Sequence, residues 1–382
     1  MKFLALLMLL ALIGVGNLYI IKRLGQSVRY LLPKLPRRVD TVVFFLFLFL
    51  LTVGFYRNTL PLPTPLKQGL GTINAYFMGI YIYLLLFFLL GDLVLLCLRF
   101  CKLVKHPLPQ GTRALAGAIA VVVALVTCCY GFLHVNQIQT VSYHIPFTKV
   151  TMEGEMKLAL VSDLHMGAQG SLGRLEKVVD AINQQQPDLI CIAGDLFDSD
   201  YNAMKNPKEF QRVLQKLSAP HGVYACFGNH DAGQTYPQMV SFLKSCNITL
   251  LQDQWVTVDN RIVLVGRLDG SPIGGYQGTT RKELGEVLQN APTLPIVVLD
   301  HNPQNADEYA PNDAHLILSG HTHKGQIFPA NLFTNLIYTS DYGYYQKDEN
   351  HPHRIVTSGG GIWGMPMRVG TNSEVVMVRL HS

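Results

Sequence analysis

The chain is poor in cysteine for a disulfide-stabilised protein. It has 7 cysteines in 382 residues. Four of them belong to or border long apolar segments: Cys97, Cys101, Cys128 and Cys129. Cys191 and Cys226 lie in apolar runs typical of buried strands, where a free thiol packs as a small apolar side chain. The cysteines therefore do not supply a disulfide framework.

Acidic residues are almost absent from the first 140 positions, which hold 13 Lys and Arg against only Asp40 and Asp92. Residues 141–382 hold 18 Lys and Arg against 24 Asp and Glu. A basic balance alone is compatible with nucleic acid as a partner, but the basic side chains lie in short loops beside apolar segments. That placement is typical of a membrane protein, and we expect no nucleic acid partner. Asp92 lies inside an apolar segment, and the sequence shows no obvious basic partner for it.

Residues 1–140 contain four long apolar segments, which we predict to be transmembrane helices because a helix needs about 20 apolar residues to cross a bilayer. They are Phe3–Ile21, Thr41–Tyr56, Ala75–Leu98 and Arg113–Val135. The first could be mistaken for a signal peptide. No small-residue cleavage site follows it, and Lys22 and Arg23 flank its far end, so we interpret it as an uncleaved anchor.

The basic residues between these segments predict the orientation in the cell membrane, because cytoplasmic loops retain Lys and Arg. The first loop holds Lys22, Arg23, Arg29, Lys34, Arg37 and Arg38. The third holds Arg99, Lys102 and Lys105, whereas the second holds only Arg57 and Lys67. Loops one and three are therefore predicted to be cytoplasmic. Everything after Val135 is then extracytoplasmic in a multi-pass protein.

From Met156 onward, β-branched apolar runs alternate with amphipathic stretches, which indicates an α/β layered domain over residues 141–382. Strands are predicted at Lys157–Ser162, Leu189–Ala193, Val223–Phe227, Trp255–Val258, Ile262–Val265, Ile296–Leu299 and Leu316–Leu318. Helices are predicted at Leu172–Gln185, Pro207–Leu217, Pro237–Ser245 and Arg281–Leu288. The tail from Ile337 is expected to add strands to a second sheet, and Gln137–Thr151 is interpreted as a short connector.

Five clusters of acidic, amide and imidazole side chains each follow a predicted strand, where the loops of an α/β sheet present functional groups. They are Asp163 and His165; Asp195 and Asp198; Asn229, His230 and Asp231; Asp300 and His301; and His321 and His323. Any one of them is commonly a turn or a core residue, but five at successive strand ends are hard to explain in that way. Oxygen and imidazole ligands without thiolate suit Mn²⁺, Fe²⁺ or Zn²⁺. Two such ions about 4 Å apart activate water and hold a phosphorus centre for in-line attack.

The order of these clusters, Asp-x-His, Gly-Asp-x-x-Asp, Gly-Asn-His-Asp, an isolated His and Gly-His-x-His, resembles the calcineurin-like metallophosphoesterase superfamily over about residues 150–380. The block Ser319–Gln326 and the ending Thr357–Gly361 with Pro366–Arg368 are similar to its bacterial membrane-associated YkuE/YaeI-like branch. The resemblance implies a four-layer αββα sandwich. Lys324 is a departure, because the branch often has Gly at this position.

The resemblance also implies a role for each residue. Asp163, His165 and His323 would bind the first metal, Asn229, His301 and His321 the second, and Asp195 both. His230 would be catalytic without binding metal, by stabilising or protonating the departing oxygen. Asp198 and Asp231 would orient ligands or His230.

We therefore predict a membrane-anchored enzyme with two divalent ions that hydrolyses phosphomonoesters or phosphodiesters, with lipid-linked or cell-envelope phosphates favoured. One alternative is a nucleotide-sugar lipid pyrophosphatase of the lipid A pathway, whose cytoplasmic substrate conflicts with the predicted topology. Another is a non-catalytic metal-binding sensory module. The presence of His230 counts against such a module, because a non-catalytic domain would need the metal ligands but not a catalytic histidine.

Overall fold

A computed structural model describes residues 2–56, 60–104, 107–167 and 170–382. The chain divides into two compact units, Met1–Phe132 and Leu133–Ser382. Arg57 and Lys105, which contribute to the predicted membrane orientation, lie outside the described residues.

The N-terminal unit is built from apolar helices, and each predicted apolar segment falls on one of them. They are α1 (Lys2–Leu31), α2 (Arg38–Tyr56), α3 (Thr64–Phe100) and α4 (Gln110–His134). Among the described residues, two stretches are long and apolar enough to cross a membrane, Pro65–Phe100 and Gln110–His134, where the sequence predicted four. The 19 residues of α2 include Arg38 and Asp40, so its apolar part is shorter than the roughly 20 residues that a bilayer requires.

Asp92 does have a basic partner, contrary to what the sequence suggested. The Arg23 Nη2 atom lies 2.7 Å from Asp92 Oδ1, and the Tyr19 hydroxyl donates to Asp92 Oδ2 at 2.6 Å. The reason is that α1 continues ten residues past its predicted end at Ile21. Tyr19 and Arg23 are four positions apart on this helix and therefore share one face.

The C-terminal unit contains two six-stranded sheets. The first has the order β1-β12-β2-β3-β4-β5, formed by β1 (Ile138–Pro146), β12 (Ser373–His381), β2 (Met156–Val161), β3 (Leu189–Ala193), β4 (Val223–Cys226) and β5 (Thr249–Leu250). The second has the order β10-β11-β9-β8-β7-β6, formed by β10 (Gly343–Tyr345), β11 (His353–Val356), β9 (Leu316–Ser319), β8 (Ile296–Leu299), β7 (Ile262–Gly266) and β6 (Gln254–Val258). The helices of this unit are α5 (Leu172–Gln184), α6 (Pro207–Leu214), α7 (Tyr236–Ser245), α8 (Leu284–Val287) and α9 (Ala330–Ile337).

The two sheets pack face to face. Alternate residues of each strand point to opposite faces of its sheet, so each sheet contributes side chains to two separate cores. Leu158 and Leu160 of β2 join Val297 and Leu299 of β8 in a core between the sheets. Residues of the opposite parity in the first sheet pack against α5, α6 and α7, and those of the second sheet pack against α8. The resulting layers are helix, sheet, sheet and helix.

Several element assignments differ from the sequence prediction, and two elements, β5 and α9, lie where none was predicted. The predicted connector contains the nine-residue strand β1, which pairs in parallel with β12. The tail adds β10 and β11 to the second sheet, but β12 joins the first sheet. The helix predicted at Arg281–Leu288 is only four residues long, Leu284–Val287.

Candidate metal centre

The carboxyl ends of parallel strands bring the predicted ligands to one edge of the C-terminal unit. Strands β2, β3 and β4 are parallel in the first sheet, and β7, β8 and β9 are parallel in the second. The loops that follow β2, β3, β4, β8 and β9 carry all seven predicted ligands: Asp163, His165, Asp195, Asn229, His301, His321 and His323.

The first group of ligand atoms comes from Asp163, His165 and His323, which are all buried. The Nε2 atoms of His165 and His323 lie 3.1 Å apart. Asp163 Oδ1 lies 3.3 Å from His323 Nε2 and 4.0 Å from His165 Nε2. Two ring nitrogens and a carboxylate oxygen therefore converge on one point.

The second group comes from Asn229, His301 and His321. His321 Nδ1 lies 2.9 Å from Asn229 Oδ1 and 3.3 Å from His301 Nε2. Asp195 Oδ2 lies 3.1 Å from His301 Nε2 and 3.7 Å from His165 Nε2. The carboxylate of Asp195 therefore stands between the two groups.

The backbone at this edge adopts a conformation that non-glycine residues rarely take. Five of the seven predicted ligands have positive φ angles in the left-handed region: Asp163, His165, Asp195, His321 and His323. Such residues cost about 1–3 kcal/mol each and cluster at functional sites. Hydrogen bonds between loops hold them, since the amides of Asp163 and His165 donate to the carbonyls of Gly194 and Asp195 at 2.9 and 3.0 Å.

Burial shifts the pKa values of several of these side chains. It lowers the pKa of His321 to about 4 and the pKa of His323 well below its usual value, so both rings are neutral near pH 7. Burial alone would lower the pKa of His301, but Asp195 and Asp163 outweigh it and raise that pKa. Burial raises the pKa of Asp163, the direction that a neighbouring cation reverses.

The donor set fits divalent cations. Imidazole nitrogens and carboxylate oxygens lie within 4.8 Å of one another in each of two groups, Asp163–His165–His323 and Asp195–His301–His321. His301 Nδ1 donates to the Ala193 carbonyl at 2.8 Å, which directs Nε2 at Asp195 and His321. Oxygen and imidazole ligands of this kind suit Mn²⁺, Fe²⁺ and Zn²⁺.

Comparison with known proteins identifies the family. Residues 156–325 match the family model described as calcineurin-like phosphoesterase. An uncharacterized metallophosphoesterase of Aquifex aeolicus is 30% identical over 262 residues, which cover 68% of this chain and 97% of that protein. The chain belongs to the calcineurin-like phosphoesterase family.

Relatives of this chain include a protein named as a transmembrane protein. A Danio rerio protein named as a transmembrane protein with metallophosphoesterase domain is 28% identical over 98% of this chain and 88% of its own length. The metallophosphoesterase YkuE of Bacillus subtilis is 28% identical over 72% of this chain and 97% of its own length. These findings confirm the resemblance to the YkuE/YaeI-like branch. The chain spans 60% of the length of the Helicobacter pylori relatives that it matches.

His230 lies beside the two ligand groups without belonging to either. Its backbone amide donates to Asp195 Oδ1 at 2.9 Å, and its ring centroid lies 5.2 Å from that of His165. The ring nitrogen Nδ1 lies 2.6 Å from the Ser199 hydroxyl. Sequence reasoning missed Ser199, because no motif marks it and only the fold brings it to His230.

The two acidic side chains expected to orient His230 or the ligands have different partners. Asp231 accepts hydrogen bonds from the backbone amides of Leu196, Phe197 and Gly228 at 3.2, 2.7 and 2.9 Å, so it joins the loops after β3 and β4. Burial and Asp195 raise its pKa to about 8. Asp198 Oδ1 lies 3.8 Å from His165 Nδ1.

The glycine-rich ending of the family match supports the first ligand group. Gly359 has a φ of +84°, and a Cβ there would lie 2.8 Å from the Asp163 Cβ, so only glycine fits. Arg368 is fully buried and donates to the carbonyls of Ser358 and Gly361 at 2.6 and 2.9 Å. It also donates to the carbonyl of His323 at 3.3 Å. The resemblance marked Arg368, but only the structure shows what it does.

Lys324, the departure from the family pattern, lies directly after the last predicted ligand. Its Nζ atom lies 3.9 Å from the centroid of the Tyr342 ring, a cation–π contact. The Tyr342 hydroxyl donates to Glu374 at 2.9 Å. Lys324 and Tyr342 are therefore held in fixed positions beside the last predicted ligand.

Proposed function

We propose that this protein is a membrane-anchored, two-metal phosphoesterase that hydrolyses phosphomonoesters or phosphodiesters, with lipid-linked or cell-envelope phosphates as its substrates. The observation that carries the proposal is the position of Asp195. Its carboxylate lies between two groups of ligand atoms, within 3.1 Å of His301 and 3.7 Å of His165. A shared carboxylate of this kind suits a pair of ions that hold one phosphorus centre.

Each residue is proposed to have a defined task. Asp163, His165 and His323 hold one divalent ion, Asn229, His301 and His321 hold the other, and Asp195 contacts both. When bound, the Mn²⁺, Fe²⁺ or Zn²⁺ ions supply Lewis acidity and lower the pKa of water. The left-handed backbone positions keep the ligands in place before an ion arrives.

His230 is the proposed proton donor. As a general acid the ring acts from its imidazolium form, in which Nδ1–H donates to the Ser199 hydroxyl oxygen. The Nε2 proton then passes to the departing oxygen of the substrate and leaves the neutral ring. The hydrogen bond from its amide to Asp195 fixes the ring beside the proposed shared carboxylate.

Metal analysis of the purified full chain tests the metal centre and the reaction together. We expect about two divalent ions per chain and hydrolysis of bis-p-nitrophenyl phosphate or p-nitrophenyl phosphate. Chelation should abolish the activity, and Mn²⁺, Fe²⁺ or Zn²⁺ should restore it. A protein that binds at most one ion, or that hydrolyses neither ester with any of the three ions, would contradict the proposal.

Residues 1–140 are proposed to form a membrane region of four helices, and residues 141–382 an extracytoplasmic catalytic domain. Support comes from the two stretches that are long and apolar enough to cross a membrane, from the printed name of the Danio rerio relative and from the basic loops.

Fusions of alkaline phosphatase test this orientation, because the reporter is active only outside the cytoplasm. A fusion after residue 140 is expected to be active, and a control fusion after residue 34, in the first basic loop, is expected to be inactive. The reverse pattern would place the catalytic domain in the cytoplasm.

A further inference from the structure

Six exposed apolar side chains form what we call the apolar rim: Phe328, Leu332, Phe333, Leu336, Ile337 and Trp363. Among the other described residues of the C-terminal unit, the exposed large apolar side chains are Leu133, Ile273 and Tyr344. Exposed apolar surface of the C-terminal unit is therefore concentrated on α9 and two adjacent loops. Exposed apolar surface that is concentrated in this way marks an interaction surface.

Helix α9 is amphipathic in the opposite sense to a helix of a soluble protein. Leu332, Phe333, Leu336 and Ile337 share one face, and Leu336 and Ile337 are 82% and 65% exposed. The polar Thr334 instead points inward, where its hydroxyl donates to Asp341 Oδ2 at 2.8 Å. A helix in water turns its apolar face to the core, so the outward face of α9 is suited to apolar surroundings.

The composition around α9 also favours apolar surroundings for this helix. Residues 325–340 contain no Asp, Glu, Lys or Arg, so no charge would have to be desolvated if the helix lay at a lipid surface. Asp341, which ends the uncharged run, is buried. Its carbonyl accepts the Thr322 hydroxyl at 2.6 Å, which fixes α9 to the loop that carries His321 and His323.

The apolar rim lies at the same edge as the metal centre. Phe328 and α9 follow β9 and the two histidines after it, and Trp363 follows β11, which is parallel to β9. The Trp363 ring centroid lies 6.2 Å from that of His230. A surface that covers the rim would therefore be in reach of the proposed catalytic side chain.

The chain enters the C-terminal unit at this edge too. Helix α4 ends at His134, whose Nε2 lies 2.8 Å from Asn372 Oδ1, and the Ser373 hydroxyl donates to the Val135 carbonyl at 3.0 Å. The Asn372 carbonyl accepts the Ser358 hydroxyl at 2.8 Å, and Gly359 lies against Asp163. Residues 134 and 135, at the end of the apolar stretch Gln110–His134, therefore lie at the edge that carries the metal centre.

We propose that the apolar rim inserts into the headgroup boundary of the bilayer and that the metal centre takes its substrate, a lipid with a phosphorylated head group, directly from that surface. Apolar faces of interfacial helices enter about 5–10 Å into this boundary, and Trp is favoured there because it combines an apolar ring with an N–H donor. The choice of a lipid as substrate rests on the proposed function. The insertion of the apolar rim into the bilayer is independent of that function.

The chain has 2 tryptophans, which allows a direct measurement of the contact. Trp255 lies in β6 and packs on the outer face of the second sheet. The full chain would be placed in phosphatidylcholine nanodiscs with brominated acyl chains, which quench tryptophan fluorescence on contact. Trp255→Phe leaves Trp363 as the reporter, and Trp363→Phe leaves Trp255 as the matched control.

We expect quenching of Trp363 to exceed that of Trp255 about threefold, and Phe333→Asp with Leu336→Asp to reduce it to the control level. Equal quenching of the two tryptophans would overturn the proposal. That result would also be obtained if a second copy of the chain, or its own N-terminal helices, covered the rim.

A second measurement separates this inference from the proposed function. In the same nanodiscs, the rate on phosphatidic acid or phosphatidylglycerol is divided by the rate on bis-p-nitrophenyl phosphate. We expect Phe333→Asp with Leu336→Asp to lower this ratio about tenfold and the matched control Tyr344→Asp to preserve it. Fast cleavage of the soluble ester without cleavage of either lipid would refute the substrate class alone, and failure on every ester would refute the proposed function while the quenching result stands.

Discussion

Replacing Asp195 by asparagine is expected to remove both ions at once. Its carboxylate faces His301 in one ligand group and His165 in the other, at 3.1 and 3.7 Å. Asparagine keeps the shape but loses the negative charge, and its amide nitrogen cannot bind a cation. Because each ion contributes several kcal/mol to the transition state, turnover should fall by about 10³-fold or more.

The measurement is metal content per chain by elemental analysis, with turnover on bis-p-nitrophenyl phosphate. Asp198→Asn is the matched control, because Asp198 lies 3.8 Å from His165 Nδ1 and so touches the first group only. It should lower the occupancy of one ion without affecting the other. Full retention of either ion by Asp195→Asn would show that the carboxylate is not shared.

Replacing His230 by asparagine is expected to leave both ions bound and to lower turnover by about 10²–10⁴, the usual contribution of general acid catalysis. The side chain belongs to neither ligand group, and only its backbone amide contacts Asp195. Since the amide survives the substitution, the position of Asp195 should survive as well.

The leaving group makes this prediction specific. p-Nitrophenolate departs without a proton, so His230→Asn should affect p-nitrophenyl esters less than alkyl esters, whose alkoxide must be protonated. Ser199→Ala provides a graded control, because it removes the hydrogen bond to Nδ1 but keeps the ring. An equal loss with both classes of ester, or the metal loss seen in Asp195→Asn, would refute the role of His230.

The central strands could be predicted from the sequence because they are buried on both faces and so appear as continuous apolar runs. The bounds of β3 and β8 agree with the prediction. Strand β1 could not be recognised in the same way. Its side chains are mostly exposed or half-buried, and its partner β12 lies more than 200 residues later in the chain.

The candidate site likewise contains some residues that local sequence motifs predict and others that only tertiary contacts bring together. The seven predicted ligands form compact sequence motifs at strand ends, and the structure brings all of them together. The contact of Ser199 with His230 and the carbonyls held by Arg368 depend instead on tertiary structure. The same is true of the pairing of Arg23 with Asp92 in the N-terminal unit. A single sequence does not encode those contacts in any local pattern.

The position of β12 in the first sheet determines when the C-terminal unit can be completed during biosynthesis. This strand lies between β1 and β2, parallel to one and antiparallel to the other, although β1 ends at Pro146 and β2 begins at Met156. Strands β1 and β2, which are consecutive in the chain, therefore each keep an unpaired edge until residue 381 has left the ribosome. A premature stop codon shortly before that point would leave both edges free to pair with other chains, so the resulting protein should aggregate rather than merely lose stability.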